Sequence, residues 1–276
     1  MLDPDANSPL GQPPAAESKN SFALARLRRA FITCELLPGA SAAEAEIAER
    51  FHLGRASVRS ALARLEVEGF VHVAPRSGWQ VAPITAATVG DVAAAWRLFA
   101  HGSDTMTMEP TTARKLSRIA AQADALLGRS EPDVVAVARV LWRTFITDLA
   151  AAQGALVAGW MAQCNDLTQR LIFWFERSNA RWAPPPLTPI AEALVANDMK
   201  AAAAELERSA QSLRDWLIEC LIRAEDIVLT PGIGAGAHRL SQPAHPPNTA
   251  TATGPGSARK IKSGQGSRTP SQQGKS

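Results

Sequence analysis

The chain has 276 residues, 46% hydrophobic and 20% charged, with a net charge of +3, the balance of a globular protein of about two domains. No apolar run nears the ~20 residues that span a bilayer, and the opening MLDPDANSPLGQPP is acidic and proline-rich, the reverse of a signal peptide. Three cysteines, Cys34, Cys164 and Cys220, are widely separated and odd in number, which suggests neither a disulfide framework nor a zinc cluster and leaves a reduced cytoplasmic protein as the simplest expectation.

Charge is unevenly placed. Residues 231–276 carry six bases and no acid, residues 86–230 carry 14 bases against 17 acids, and residues 21–85 carry eight against six. The net basicity lives in the tail, so what matters in the folded part is where individual arginines fall.

Residues 1–20, rich in Pro, Ala and Ser, read as a disordered arm. In residues 21–84 three short helical patterns precede an alternating segment. Glu44–Phe51 (EAEIAERF) is a predicted helix, His52-Leu-Gly54 a tight turn, and GRASVRSALARLEVEGF a second helix with Val58, Ala61, Leu62 and Leu65 on one stripe. Arg55 and Arg59, one turn apart, flank that stripe near the amino-terminal end, with Ser57 and Ser60 beside them. Phe70–Ala74 and Gly78–Ala82 alternate like strands joined by Pro75-Arg-Ser-Gly78, a β-hairpin.

Helix, glycine turn, helix and hairpin is the order of a winged helix-turn-helix, whose second helix enters the major groove with its first turns against base edges. There the guanidinium forks of Arg55 and Arg59 suit guanine or phosphate, and the Ser57 and Ser60 hydroxyls suit phosphate. Arg76 at the hairpin tip would reach a neighbouring backbone or minor groove. The alternative is an ordinary helical hairpin with a basic solvated face.

Residues 86–227 read as helix throughout. Successive stripes are Val89, Val92, Trp96, Phe99; Leu116, Ile119, Ala123, Leu126; Val134, Val137, Leu141, Phe145, Leu149; and Val157, Trp160, Cys164, Leu167, Leu171, Trp174. A short helix opens at the cap-like Thr188-Pro189, and a long one carries Leu206, Ala210, Leu213, Leu217, Cys220 and Ala224. Trp96, Trp160 and Trp174 read as core. The expected fold is mainly α: a winged helix-turn-helix with a small β-hairpin over residues 21–84, then an all-α bundle of six to seven helices over residues 86–230. Residues 231–276 read as a disordered basic tail that either attracts phosphates nonspecifically or only solubilises.

Residues 24–84 resemble the DNA-binding domain of the GntR family of bacterial transcription regulators. Ile32-Thr-Cys-Glu-Leu-Leu-Pro-Gly39 matches its "I..G.L.PG" link, Glu46-Ile-Ala-Glu-Arg50 its "ELAER", and Arg55-x-x-Val-Arg59-x-Ala-Leu62 its "SRTPVREAL". Leu65-Glu-x-Glu-Gly-Phe-Val71 matches "LEAEGLV", and Arg76-x-Gly78 with Val81-Ala-Pro83 matches the wing. The resemblance implies that Arg55 and Arg59 contact the operator, assisted by Ser57 and the wing tip Arg76, Ser77 and Gly78. Gly54 and Ala56 stand where the family has hydroxyl residues, which implies weaker phosphate contacts.

The bundle resembles the FCD effector domain of the FadR subfamily, which dimerises and in many members holds a divalent metal that helps bind a small carboxylate. Alignment puts Trp142 at the family's aspartate ligand and Ile146, Leu187 and Ser209 at its three histidines. Of five histidines in the chain, only His101 falls within residues 86–230, and it reads as a surface or satisfied residue. A metal-free domain without cofactor is therefore expected. Its cavity is either filled as core or altered into a pocket for a hydrophobic effector. Such a pocket would use Phe99, Trp142, Ile146, Leu187 and Ser209, with Arg143 and Arg170 supplying charge.

Three functional readings follow. One is a homodimeric repressor or activator on a short palindromic double-stranded DNA operator, modulated by a small-molecule effector and working in the bacterial cytoplasm on the nucleoid. A second keeps DNA binding over a bundle that senses nothing. A third, an all-α enzyme with an accessory domain, lacks a Ser/His/Asp set, a phosphate loop and a metal cluster, so no enzyme is expected.

Overall fold

A computed structural model describes residues 16–223 except 75–77 and 179. The expected arm over residues 1–15, the tail over 231–276, the wing-tip residues Arg76 and Ser77, and the end of the bundle over 224–230 lie outside the described residues.

The first helix, α1 (Ala16–Ile32), starts earlier than expected, so residues 16–20 are helical and not part of an arm. The stretch contains neither Gly nor Pro, and Ala, Glu and Lys favour helix. It buries Ala23, Leu27, Ala30 and Phe31, spaced 4, 7 and 8 from the first. Next come β1 (Ser41–Ala42), α2 (Glu44–Phe51), α3 (Arg55–Val67), β2 (Val71–Ala74) and β3 (Gly78–Val81). The hairpin is as expected. The added strand β1 pairs antiparallel with β3, Ser41 opposite Gln80, giving a sheet of order β1-β3-β2. Gly78 serves this pairing: its φ is +83°, and a Cβ there would lie 2.9 Å from the Ala42 carbonyl oxygen. Leu27, Phe31, Ile47, Phe51, Val58, Leu62, Leu65 and Phe70 form one apolar cluster, with the Phe31 and Phe70 rings stacked at 6.1 Å.

Six α-helices follow: α4 (Ala86–Gly102), α5 (Pro110–Asp124), α6 (Pro132–Ala152), α7 (Ala155–Glu176), α8 (Thr188–Val195) and α9 (Met199–Arg223). Thr85 caps α4, accepting from the Thr88 amide at 3.2 Å, and prolines open α5 and α6. The expected Thr188 cap is corrected. Leu187 sits at the cap position, and Asp124 at the end of α5 accepts from the Leu187 and Thr188 amides, both at 2.8 Å. A carboxylate from another helix thus takes the place of a local hydroxyl.

Two stripes are also corrected. Val137 is 52% exposed and Trp160 40% exposed. Full burial on α6 begins at Trp142 and on α7 at Met161, so the first turns of both helices are only partly covered. Most of the other stripe residues, among them Val89, Trp96, Leu116, Phe145, Leu171, Leu206 and Leu217, form a second apolar cluster.

Helix α7 packs against α1, α4 and α6, which is why its part from Met161 to Phe175 is buried on most sides. Asn165, Asp166, Thr168, Gln169 and Arg170 form a buried polar row on it, and Leu167 packs against both apolar clusters. Asp166 accepts from Arg28 of α1 at 3.1 Å and from Arg143 of α6, while the second Arg28 amino group donates to Glu68 at the end of α3 at 2.7 Å. The cysteines are free and buried, and burial pushes the Cys164 thiol up to about 12, which leaves it without thiolate chemistry.

Candidate nucleic-acid interface

Helix α3 begins at Gly54, an extended residue that offers no side-chain cap. Its first-turn amides are therefore free of any side-chain acceptor, and with the helix dipole they face outward as anion donors. Arg55 is exposed and has no side-chain partner among the described residues. Ser57 is half-buried and Ser60 exposed, on either side of the buried Val58. The apolar stripe of Val58, Ala61, Leu62 and Leu65 is buried as expected, which turns the basic flank to solvent.

Arg59 is 72% exposed but not free. Its Nε and Nη2 donate to Glu44 Oε2 at 3.0 and 2.9 Å. The Trp79 indole on β3 donates to Glu44 Oε1 at 3.4 Å. Glu44 thereby ties the start of α2 to the second turn of α3 and to the wing. The hydrogen bond from Arg59 is the largest cause holding its carboxyl below the usual glutamate value, against a smaller opposing effect of burial. Sequence reasoning missed Glu44 and Trp79. The three side chains are 15 and 35 residues apart, and only the helix-turn-helix crossing brings them together.

In the bundle, Phe99, Trp142, Ile146 and Leu187 are buried in the second apolar cluster. Ser209 is half-buried and donates to the Glu205 carbonyl at 3.1 Å. The set does not fit a divalent metal: indole and hydrocarbon side chains supply no ligand, and the serine hydroxyl is spent on its own helix. Arg143 and Arg170 are not brought to this cluster. Arg143 binds Asp166. Arg170, 1% exposed, donates to the Ala82 carbonyl beyond β3 and lies 5.9 Å from the Phe70 ring. Burial lowers it to about 10, so it is charged at neutral pH. Both arginines belong to the joint between winged helix and bundle. His101 is exposed.

The rings instead form a series. Trp96 meets Phe99 at 6.3 Å and Trp142 at 5.1 Å, Trp142 meets Trp182 at 5.5 Å, and Trp216 meets Trp182 at 6.4 Å and Phe175 at 6.0 Å. Trp182 comes from the irregular segment before α8, where periodicity offers no signal.

Helix α3 with an open amino-terminal turn, a hairpin beside it and a helical bundle following make up a winged helix-turn-helix joined to an all-α domain. Residues 19–81 match the model of the bacterial regulatory proteins of the gntR family. The match lies within the amino-terminal part of the chain and ends before α4. Two solved structures share the fold. A GntR protein of Rhodococcus sp. RHA1 is 21% identical over 75% of this chain and 99% of its own, with a TM-score of 0.55. The E. coli protein McbR/YncC is 16% identical over 73% and 97%, with a TM-score of 0.56. Comparison with curated proteins returns no match. No helix among the described residues is long and apolar enough to cross a membrane.

Proposed function

We propose that the chain is a homodimeric transcription regulator that reads a short palindromic operator in double-stranded DNA with α3. A small-molecule effector in the bundle, bound without a metal, modulates it. The carrying observation is the first turns of α3: open amides, a free Arg55, and Arg59 held in place by Glu44. Such a surface suits guanine edges and phosphates, and a two-fold dimer matches a palindrome by symmetry. The protein then works in the bacterial cytoplasm and has no catalytic step. The buried packing of Trp142, Ile146 and Leu187 favours the second reading, a bundle that senses nothing. A ligand that raises the melting temperature decides between them.

The test is a fluorescence-anisotropy titration against the DNA upstream of its own gene and a scrambled duplex, at two salt concentrations. Arg55→Ala/Arg59→Ala and a chain ending at residue 230 run alongside. A preference on the order of a hundredfold for the native sequence, erased by the double substitution, is expected for an operator reader. Equal affinity for both duplexes, lost with the tail and with salt, would assign binding to the tail instead.

A further inference from the structure

We propose that the tryptophan series of the bundle binds an uncharged, flat molecule carrying two hydrogen-bond acceptors. This rests on the effector reading above and names the ligand class that site takes. The Trp96 indole shows what a structural tryptophan does here: its Nε1 donates to Thr168 Oγ1 at 2.9 Å. Trp142 and Trp182 differ. The Nε1 of each is buried and has no acceptor among the described residues, and Trp142 as a whole is only 6% exposed. Their rings touch, edge to face at 5.5 Å. A buried indole N–H without an acceptor is destabilising, and phenylalanine would fill much of the same space without that penalty. Two such donors on adjacent rings, between aromatic walls, match a planar molecule that presents two oxygens or ring nitrogens.

The missing charge fixes the rest of the class. The two arginines that could have met an acid are engaged elsewhere, Arg143 on Asp166 and Arg170 on the Ala82 carbonyl. Arg181, next to Trp182 in the chain, is exposed. A carboxylate among these rings would lose its hydration without gaining a buried cation, whereas a lactone or ketone oxygen is satisfied by an N–H. Trp182 is half-buried and lies outside any helix, so it is the ring that gives way on entry.

The test uses the full chain, differential scanning calorimetry, and coumarin against coumarin-3-carboxylate. Trp142→Phe, Trp182→Phe and the double variant are compared with the wild type. Without ligand, each phenylalanine variant melts at or above the wild-type temperature, because an orphan donor is removed and a ring kept. Coumarin raises the wild-type melting temperature by several degrees, the double variant by less, and the carboxylate neither. Variants that melt lower without ligand would show that the indoles are satisfied. No coumarin shift in the wild type, or an equal one in the double variant, also overturns the site. A larger shift with the carboxylate overturns the uncharged class. Operator affinity measured with coumarin present separates the two claims: binding at the rings with unchanged DNA affinity sinks effector control and leaves the site standing.

Discussion

Glu44 holds two side chains of the proposed DNA surface, Arg59 on α3 and Trp79 on the wing. Its carboxyl titrates below the ordinary glutamate value. The stabilisation from this contact is therefore fully present above that ordinary value, and is lost as pH falls through the lowered one. At neutral pH Arg59 stays held, and acidification frees it. Glu44→Gln should do the same at neutral pH while removing a negative charge near the phosphates. We expect the scrambled duplex to bind roughly threefold tighter, the size typical of one exposed charge, and the preference for the operator to shrink. Paired anisotropy titrations on the two duplexes check this; unchanged values for both would dissociate Glu44 from the reading surface. The sequence made legible the buried stripe of α3, and with it the flank on which Arg55 and Arg59 lie exposed. Glu44 was not legible, because nothing local in a sequence marks which acid will cross a turn.

The helices were legible as elements because a 3.6-residue period and the flanking prolines set their number and rough ends. Whether an apolar face is covered is a different matter, and periodicity is silent on it: Val137 and Trp160 follow the pattern and still face solvent. A two-residue strand such as β1 carries no pattern at all, and its pairing is visible only through Gly78. The start of α8 shows a third limit. A Thr-Pro pair suggests a local cap, yet both leading amides are held by Asp124 from the end of α5. Asp124→Ala should cost about 1–2 kcal/mol of stability, the range of a lost helix cap. Urea unfolding should show a lower midpoint with an unchanged slope; a Thr188→Ala variant that costs more than Asp124→Ala would return the cap to Thr188.

Two apolar clusters and one polar joint make up the described part of the molecule. The joint is centred on Asp166, buried between guanidiniums of α1 and α6, while Arg28 also reaches the end of the recognition helix through Glu68. Removing one partner of a buried pair strands the other, but Arg28 and Arg143 both keep some access to water. Asp166→Ala is therefore expected to cost about 2 kcal/mol, below the usual range for fully buried pairs. It should lower the urea midpoint and weaken operator binding together; a loss of stability with operator affinity intact would make the joint purely structural. Sequence reading placed Arg143 and Arg170 near an effector because the family resemblance fixed their helices but not their rotation toward α1 and the wing. The joint bears on how parts of the chain can be exchanged. With Leu167 packed against both apolar clusters and Arg170 seated on the backbone after the wing, the reading head is not a detachable module. Grafted onto a foreign bundle, it would need the polar row of α7 grafted with it, so recombination between relatives should respect the α1–α7 seam more than the boundary before α4.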